Sequence, residues 1–279
     1  MTLARDSISP VKPIWPGGFW KRLLSGPPAA MMHPESAGYS IIGGRKENQD
    51  RCLCDDDAAI YLVADGMGGH AGGARASEIA VDVLSQHLRA ASTDEDPSEA
   101  MERALHRGLE NASREMRSFA ATEPDCGKMG CTLAAVAIVG NHAYYTHVGD
   151  SRVYLIHEGH IKRLTKDETL VEELADANLI SRSSVATHRW RHVVTNSLGA
   201  RGIRQEPRWK EMQLCDGDQI LLTSDGLTNE LTDAEIESEV RRSMSPKQSV
   251  KGLIRAALHR DPSDNVTCVV TKMQPDVSD

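Results

Sequence analysis

The chain has no excess of basic residues: 32 lysines and arginines stand against 40 aspartates and glutamates, a formal net charge of −8. Non-specific nucleic-acid binding needs a basic footprint, so the balance argues against that class. Long apolar segments are also missing. The purely apolar run Leu133 to Val139 is far too short to cross a bilayer. The six cysteines, Cys52, Cys54, Cys126, Cys131, Cys215 and Cys268, include no CxxC pair and no zinc-ligand spacing. A disulfide framework is not expected at this length, and the cysteines read as reduced thiols of a cytoplasmic protein, mostly in core or strand positions. No linker, repeat or low-complexity tract interrupts the chain after residue 36. What is present, 40% hydrophobic and 26% charged residues over 279 positions, can bury a sizeable core. The acid excess fits a solvated surface and a cation site equally.

Residues 1–36 hold six of the twelve prolines and lack sustained periodicity, so they read as a flexible extension. The cluster Phe19-Trp20-Lys21-Arg22-Leu23-Leu24 could instead dock on the domain or touch a membrane surface. It is no signal peptide, having no apolar core before a cleavage site, and translation starting at Met31 or Met32 is a further option. One domain is expected over 37–273, followed by a tail at 274–279. Within it, Ala58 to Ala64 reads as a buried strand ending at an Asp-Gly turn, and a helical pattern begins near Ala74. Asp96-Pro97 opens a second helix with the apolar stripe Met101, Leu105, Leu109, Ala112, Met116 and Phe119. Cys131 to Val139, His142 to Val148, Val153 to His157 and His160 to Leu164 read as four consecutive strands of an antiparallel sheet, with Gly140-Asn141 as a hairpin turn. A short helix is expected over 167–179, and a polar surface segment over 181–197. Thr232 to Glu235 and Ser245 to Gln248 read as capping boxes opening two helices. Asp218 to Ser224 and Val266 to Thr271 complete the strands.

The stretch Val63-Ala64-Asp65-Gly66-Met67-Gly68-Gly69-His70 organises the rest. A carboxylate at the end of a buried strand, backed by glycines that let the backbone approach a ligand, is a natural seat for a hard cation. Alone it is equally a plain turn. The arrangement recurs at Leu221-Leu222-Thr223-Ser224-Asp225-Gly226, and Asp50, Asp150 and Asp264 also sit at strand ends or turns. Convergent carboxylates repel unless a cation compensates them, and an all-oxygen set points to Mg²⁺ or Mn²⁺ rather than zinc. Such aspartates also serve as turn formers and caps, so spacing leaves both readings open.

The ordered set Arg45-x-x-Asn48-Gln49-Asp50, Asp65-Gly66-Met67-Gly68-Gly69-His70, Gly130-Cys131-Thr132, Gly149-Asp150-Ser151-Arg152, Leu164-Thr165-x-Asp167, Ser224-Asp225-Gly226 and Asp264-Asn265-x-Thr267 closely resembles the bacterial branch of the PP2C (PPM) metal-dependent serine/threonine phosphatases, over about residues 38–272. The resemblance implies an α+β fold, a β-sandwich of two antiparallel sheets flanked by helices on both sides. It implies two Mn²⁺ or Mg²⁺ ions and a weaker third. Asp65 is then the carboxylate that bridges the two ions, with the Gly66 carbonyl on one of them, and Asp225 and Asp264 are the remaining carboxylate ligands of the first. Asp50 lies near the second ion and Asp150 near the third. Arg45 matches the arginine that holds the substrate phosphate, a role its bidentate fork suits, with a surface salt bridge as the alternative. The implied reaction is attack of a metal-bridged hydroxide on phosphoserine or phosphothreonine in proteins, opposing a bacterial serine/threonine kinase. The alternatives are an inactive phosphoprotein-binding member and a hydrolase of small phosphate esters. Met67 stands where eukaryotic members carry a histidine. His70 is a candidate acid for the leaving group, or equally a structural residue of the glycine turn. Gln49 replaces the usual glutamate, and Glu168 stands where a histidine is common. Residues 177–198 match the family's variable flap, whose Arg182, His188, Arg189, Arg191 and His192 could attract acidic substrate segments or simply be solvated.

Overall fold

A computed structural model describes residues 32–69, 71–91 and 97–275. The expectations for residues 1–31, His70, Asp96 and 276–279 lie outside the described residues. Two antiparallel sheets form the centre. The first is ordered β1 (Met32–Ile41), β12 (Val266–Pro275), β11 (Gln219–Thr223), β7 (Arg152–His157), β8 (His160–Arg163). The second is ordered β10 (Lys210–Gln213), β6 (His142–Val148), β5 (Leu133–Val139), β3 (Ile60–Met67), β4 (Gly130–Cys131), β9 (Leu198–Gly199), with β2 (Asp50–Asp55) also paired to β3.

Side-chain alternation along β3 explains the layers. Tyr61 and Val63 point between the sheets, where they meet Val136, Val153, Ile220, Leu222 and Val269. Ile60, Leu62 and Ala64 point the other way, against α1 (Ala71–Ala91) and α2 (Pro97–Thr122), meeting Ile79, Leu84, Leu105 and Met116. On the far side, Tyr154, Leu221 and Val270 pack under α5 (Asp233–Arg241) and α6 (Pro246–Leu258) through Ile236 and Leu253. A strand covered on both faces reads as an unbroken apolar run, which is why the sequence shows one at β3. The α+β sandwich with helices outside both sheets is the expected fold.

Several local expectations change. β1 begins at Met32 and β12 ends at Pro275, so residues 32–36, assigned by sequence to the extension, and 274–275, assigned to the tail, are strand, paired from Met32↔Pro275 onward. As an edge strand it accommodates Pro34, which hides its pattern. β3 does not stop at Asp65 but runs to Met67, because Gly66 and Met67 pair with Cys131 and Gly130. The expected strand Cys131 to Val139 is broken at Thr132, whose amide bonds to Asp65 O (2.9 Å). The four strands expected in one sheet divide between two: β5 and β6 lie in one and β7 and β8 in the other. The chain crosses at 149–151. α1 starts three residues before Ala74, the short helix expected over 167–179 is α3 (Leu170–Asp176), and β2, β9 and β10 were not foreseen. Thr232 and Glu235 make a full capping box, whereas Gln248 Oε1 accepts from the Met244 amide instead of that of Ser245.

Candidate active site

The strand ends bring the aspartates together. Asp50 and Asp65 are direct partners across the β2–β3 ladder, so their side chains share one face. Asp225 opens α4 (Asp225–Thr228) just after β11, and Asp264 stands two residues before β12. Two glycines make the approach feasible. A Cβ on Gly66 would lie 2.1 Å from Gly73 O, and one on Gly226 1.9 Å from Asn265 O. Neither position tolerates a side chain.

A cavity of about 750 Å³ opens between the sheet edges, lined by Arg45, Gln49, Asp65, Gly66, Asp150, Asp225 and Asp264. Asp50 does not line it and is only 1% exposed. Its Oδ2 accepts from Ser224 Oγ (2.8 Å) and Thr267 Oγ1 (2.6 Å). Its Oδ1 is buried without a hydrogen-bond partner among the described residues, and so is Asp225 Oδ1. Burial pushes the Asp50 carboxyl up to about 6 against the pull of these two hydroxyls. Asp65 is driven well above the carboxylate range by burial and then by the charges of Asp50, Asp225, Asp150 and Asp264. Burial, followed by Asp225 and Asp167, does the same to Asp150. Carboxylates that raise one another's affinity for protons will also favour a multivalent cation. Two orphaned buried oxygens in an all-oxygen cluster fit a hard divalent ion.

Arg45 reaches the same place from the loop before β2. Its Nε donates to Asp264 Oδ1 (2.8 Å) and its Nη2 to Oδ2 (2.6 Å). The guanidinium forks onto a candidate cation ligand while remaining 57% exposed at the cavity mouth.

A sequence model of the protein phosphatase 2C family matches residues 37–260. A putative protein phosphatase 2C-type from Streptococcus pyogenes is 34% identical over 226 residues, 80% of this chain and 90% of that protein. The Mycobacterium tuberculosis serine/threonine protein phosphatase PstP is 33% identical over 226 residues, 81% of this chain but 42% of its own length. The crystal structure of that phosphatase superposes with a TM-score of 0.79 at 30% identity, covering 87% of this chain and 99% of the crystallised one. Its catalytic domain in complex with two manganese ions gives 0.75 at 30% identity, covering 87% and 99%. The chain belongs to the protein phosphatase 2C family.

The family motifs contain residues whose work the sequence did not reveal. Asn265 staples the Arg45 loop: its Oδ1 accepts from Gln49 N (2.9 Å), and its Nδ2 donates to Ile42 O (2.8 Å) and Glu47 O (2.9 Å). Thr132 Oγ1 accepts from Asp65 N (3.2 Å) and bonds Ser151 Oγ (2.7 Å), joining β3 to the crossing beside Asp150. Ser224 and Thr267 steady Asp50. All four stand inside quoted motifs, so a polar motif residue with no assigned role was the available signal.

Both departures from the family pattern are structural neighbours of the site. The Gln49 carbonyl accepts from Gly66 N (3.1 Å) and Ser77 Oγ (2.6 Å), and its side-chain Oε1 lies against Gly73 on α1. Glu168 Oε2 accepts from Gly149 N (2.8 Å) and Asn196 Nδ2 (2.9 Å), clamping the flap's end to the loop that carries Asp150. The flap's basic residues divide. Arg182 is held by Glu172 and Asp176, and the Arg189 guanidinium sits 4.5 Å over Trp190. Arg191 and His192 line a second cavity of about 330 Å³ that shares Asp150 and Asp225 with the first. His192 Nδ1 is 3.7 Å from Asp225 Oδ2.

Proposed function

We propose that this protein is a divalent-cation-dependent phosphatase of phosphoserine and phosphothreonine in proteins. The observation that carries the reading is the carboxylate cluster, with the buried, unpartnered oxygens of Asp50 and Asp225 beside an Asp65 whose ionisation is suppressed. Asp65, Asp225 and Asp264 would hold one ion, Asp65 with Asp50 nearby a second, the Gly66 carbonyl one of these two, and Asp150 a weaker third. When bound, such ions polarise a water for attack and neutralise the phosphoryl charge. Mn²⁺ is favoured by the manganese complex of the related catalytic domain, and Mg²⁺ suits the same oxygen donors.

The chain's own groups do the rest. Arg45 turns from Asp264 to the phosphate, offering two parallel N–H donors to its oxygens. Asn265 fixes the loop that aims it. Thr132 and the Ser224–Thr267 pair hold Asp65 and Asp50 in place, so little reorganisation accompanies charge transfer. The cavity wall contains no cysteine, and Cys131 behind β3 is buried with its thiol pushed up, so no cysteinyl phosphoenzyme is involved. A serine/threonine kinase acting on the same proteins is the expected partner activity. The cytoplasm, which keeps six free thiols reduced, is the expected compartment. Among the described residues no helix is long and apolar enough to cross a membrane. Turnover of a phosphothreonine peptide with Mn²⁺ or Mg²⁺, abolished by EDTA and restored by excess metal, is the test. Full activity in chelator would overturn the assignment.

A further inference from the structure

We propose that His157, Cys215 and Asp218 form a second, thiolate-containing site for a thiophilic divalent cation of the Zn²⁺ class, remote from the phosphatase centre. His157 ends β7, and Cys215 and Asp218 bracket the turn that leads into β11. Asp218 and Asp225 lie at opposite ends of β11, so the site is roughly 20 Å from the catalytic aspartates at ~3.3 Å per residue.

The imidazole, thiol and carboxylate ligand atoms all lie within 4.8 Å of one another. With Zn–N and Zn–O near 2.0–2.2 Å and Zn–S near 2.3 Å, tetrahedral edges are about 3.3–3.8 Å, so the three atoms close on one ion by small side-chain shifts. The turn is already fixed. Cys215 N donates to Asp218 Oδ2 (2.9 Å), Asp218 N to Cys215 O (3.1 Å), Gly217 N to Met273 O (3.0 Å) and Leu214 N to Asn141 O (2.7 Å). His157 Nδ1 lies 2.6 Å from Asp218 Oδ1. Asp218 is buried, while His157 and Cys215 are half-buried, which leaves an entry path from solvent.

A structural His–Asp pair accounts for two of these residues but needs no thiol beside it. The ligand chemistry also separates this site from the catalytic one. Sulfur and imidazole select Zn²⁺ over Mn²⁺ and Mg²⁺, which prefer the oxygen-only cluster. Binding releases the Cys215 thiol proton, and the imidazole presents Nδ1 with its proton on Nε2. Thiolate and Asp218 carboxylate then balance the dication. Burial raises the proton affinities of Cys215 and Asp218, and the charge of Glu158 on the adjacent hairpin turn adds to both. A bound ion would clamp the β7–β8 hairpin to the β10–β11 turn.

The test uses the full chain saturated with Mn²⁺ and titrated with Co²⁺, a spectroscopic stand-in for Zn²⁺. An oxygen-only catalytic site gives no thiolate-to-cobalt charge transfer. The expected result is a near-ultraviolet charge-transfer band saturating at one Co²⁺ per chain. Cys215→Ser abolishes the band, and His157→Gln weakens Co²⁺ binding by more than about tenfold. Both variants keep Mn²⁺-dependent turnover. Stoichiometric Zn²⁺ added to the Mn²⁺-saturated protein should raise the melting temperature of the wild type and not of Cys215→Ser. No band in the wild type, or a band intact in Cys215→Ser, overturns the proposal.

Discussion

Replacing Arg45 with alanine acts on two partners in opposite directions. Its guanidinium is forked onto Asp264, with the arginine side chain 57% and the aspartate 27% exposed. A pair so open to water contributes at most about 1 kcal/mol, so the melting temperature should barely move. The same pair competes with any cation at Asp264, and removing it should tighten half-saturation by Mn²⁺ up to about fivefold. Phosphate recognition moves the other way. Loss of a charge-assisted contact worth about 1.5–3 kcal/mol lowers kcat/KM roughly 10- to 150-fold. The assay is a Mn²⁺ titration, followed by kcat/KM on a phosphothreonine peptide at saturating metal. Arg45→Lys, which keeps the charge without the fork, should fall between the two. If kcat/KM for Arg45→Ala stays within about twofold of wild type, Arg45 is only the counter-ion of Asp264 and the phosphate role is refuted.

Asp65→Asn and Asp225→Asn should each cut turnover by about 10²-fold or more while the chain stays folded. For Asp65→Asn the melting temperature in EDTA should rise, because a carboxyl that burial, and then four neighbouring charges, make costly to ionise is replaced by a neutral amide. Near-normal turnover in either variant would show that the wrong carboxylates have been chosen. Gln49→Glu introduces a charge on the cavity wall and should lower the Mn²⁺ concentration for half-maximal activity about tenfold, from ~1–2 kcal/mol of net attraction. Coincident titration curves would place Gln49 out of electrostatic reach. Deleting residues 1–30 should leave specific activity unchanged, whereas deleting 1–38 removes most of β1 and its pairing with β12 and should lower the melting temperature sharply. Equal stability of the two truncations would contradict the register found at that edge.

Much of the molecule was written locally. The run before Asp65, the stripe of α2, the Gly140 hairpin and the Thr232 cap each follow from a few adjacent residues. The seven motifs, in order, carried the family and the list of aspartates. Other features depend on residues far apart in the chain, and no local pattern encodes them. β5–β6 and β7–β8 read alike as strands, but only the turn at 149–151 sends them into different sheets, and that crossing puts Asp150 beside Asp225. The first part of β1, before the strand that Tyr39 to Ile42 announces, was obscured because an edge strand can carry Pro34 and needs a partner, β12, more than 220 residues away to declare itself. Arg45 and Asp264 meet across 219 positions, and His157 meets Asp218 across 61. Sequence determined which groups were available and which strands would hold them. Tertiary structure decided which charges face one another, because electrostatic interaction depends on distance and burial, and packing fixes both.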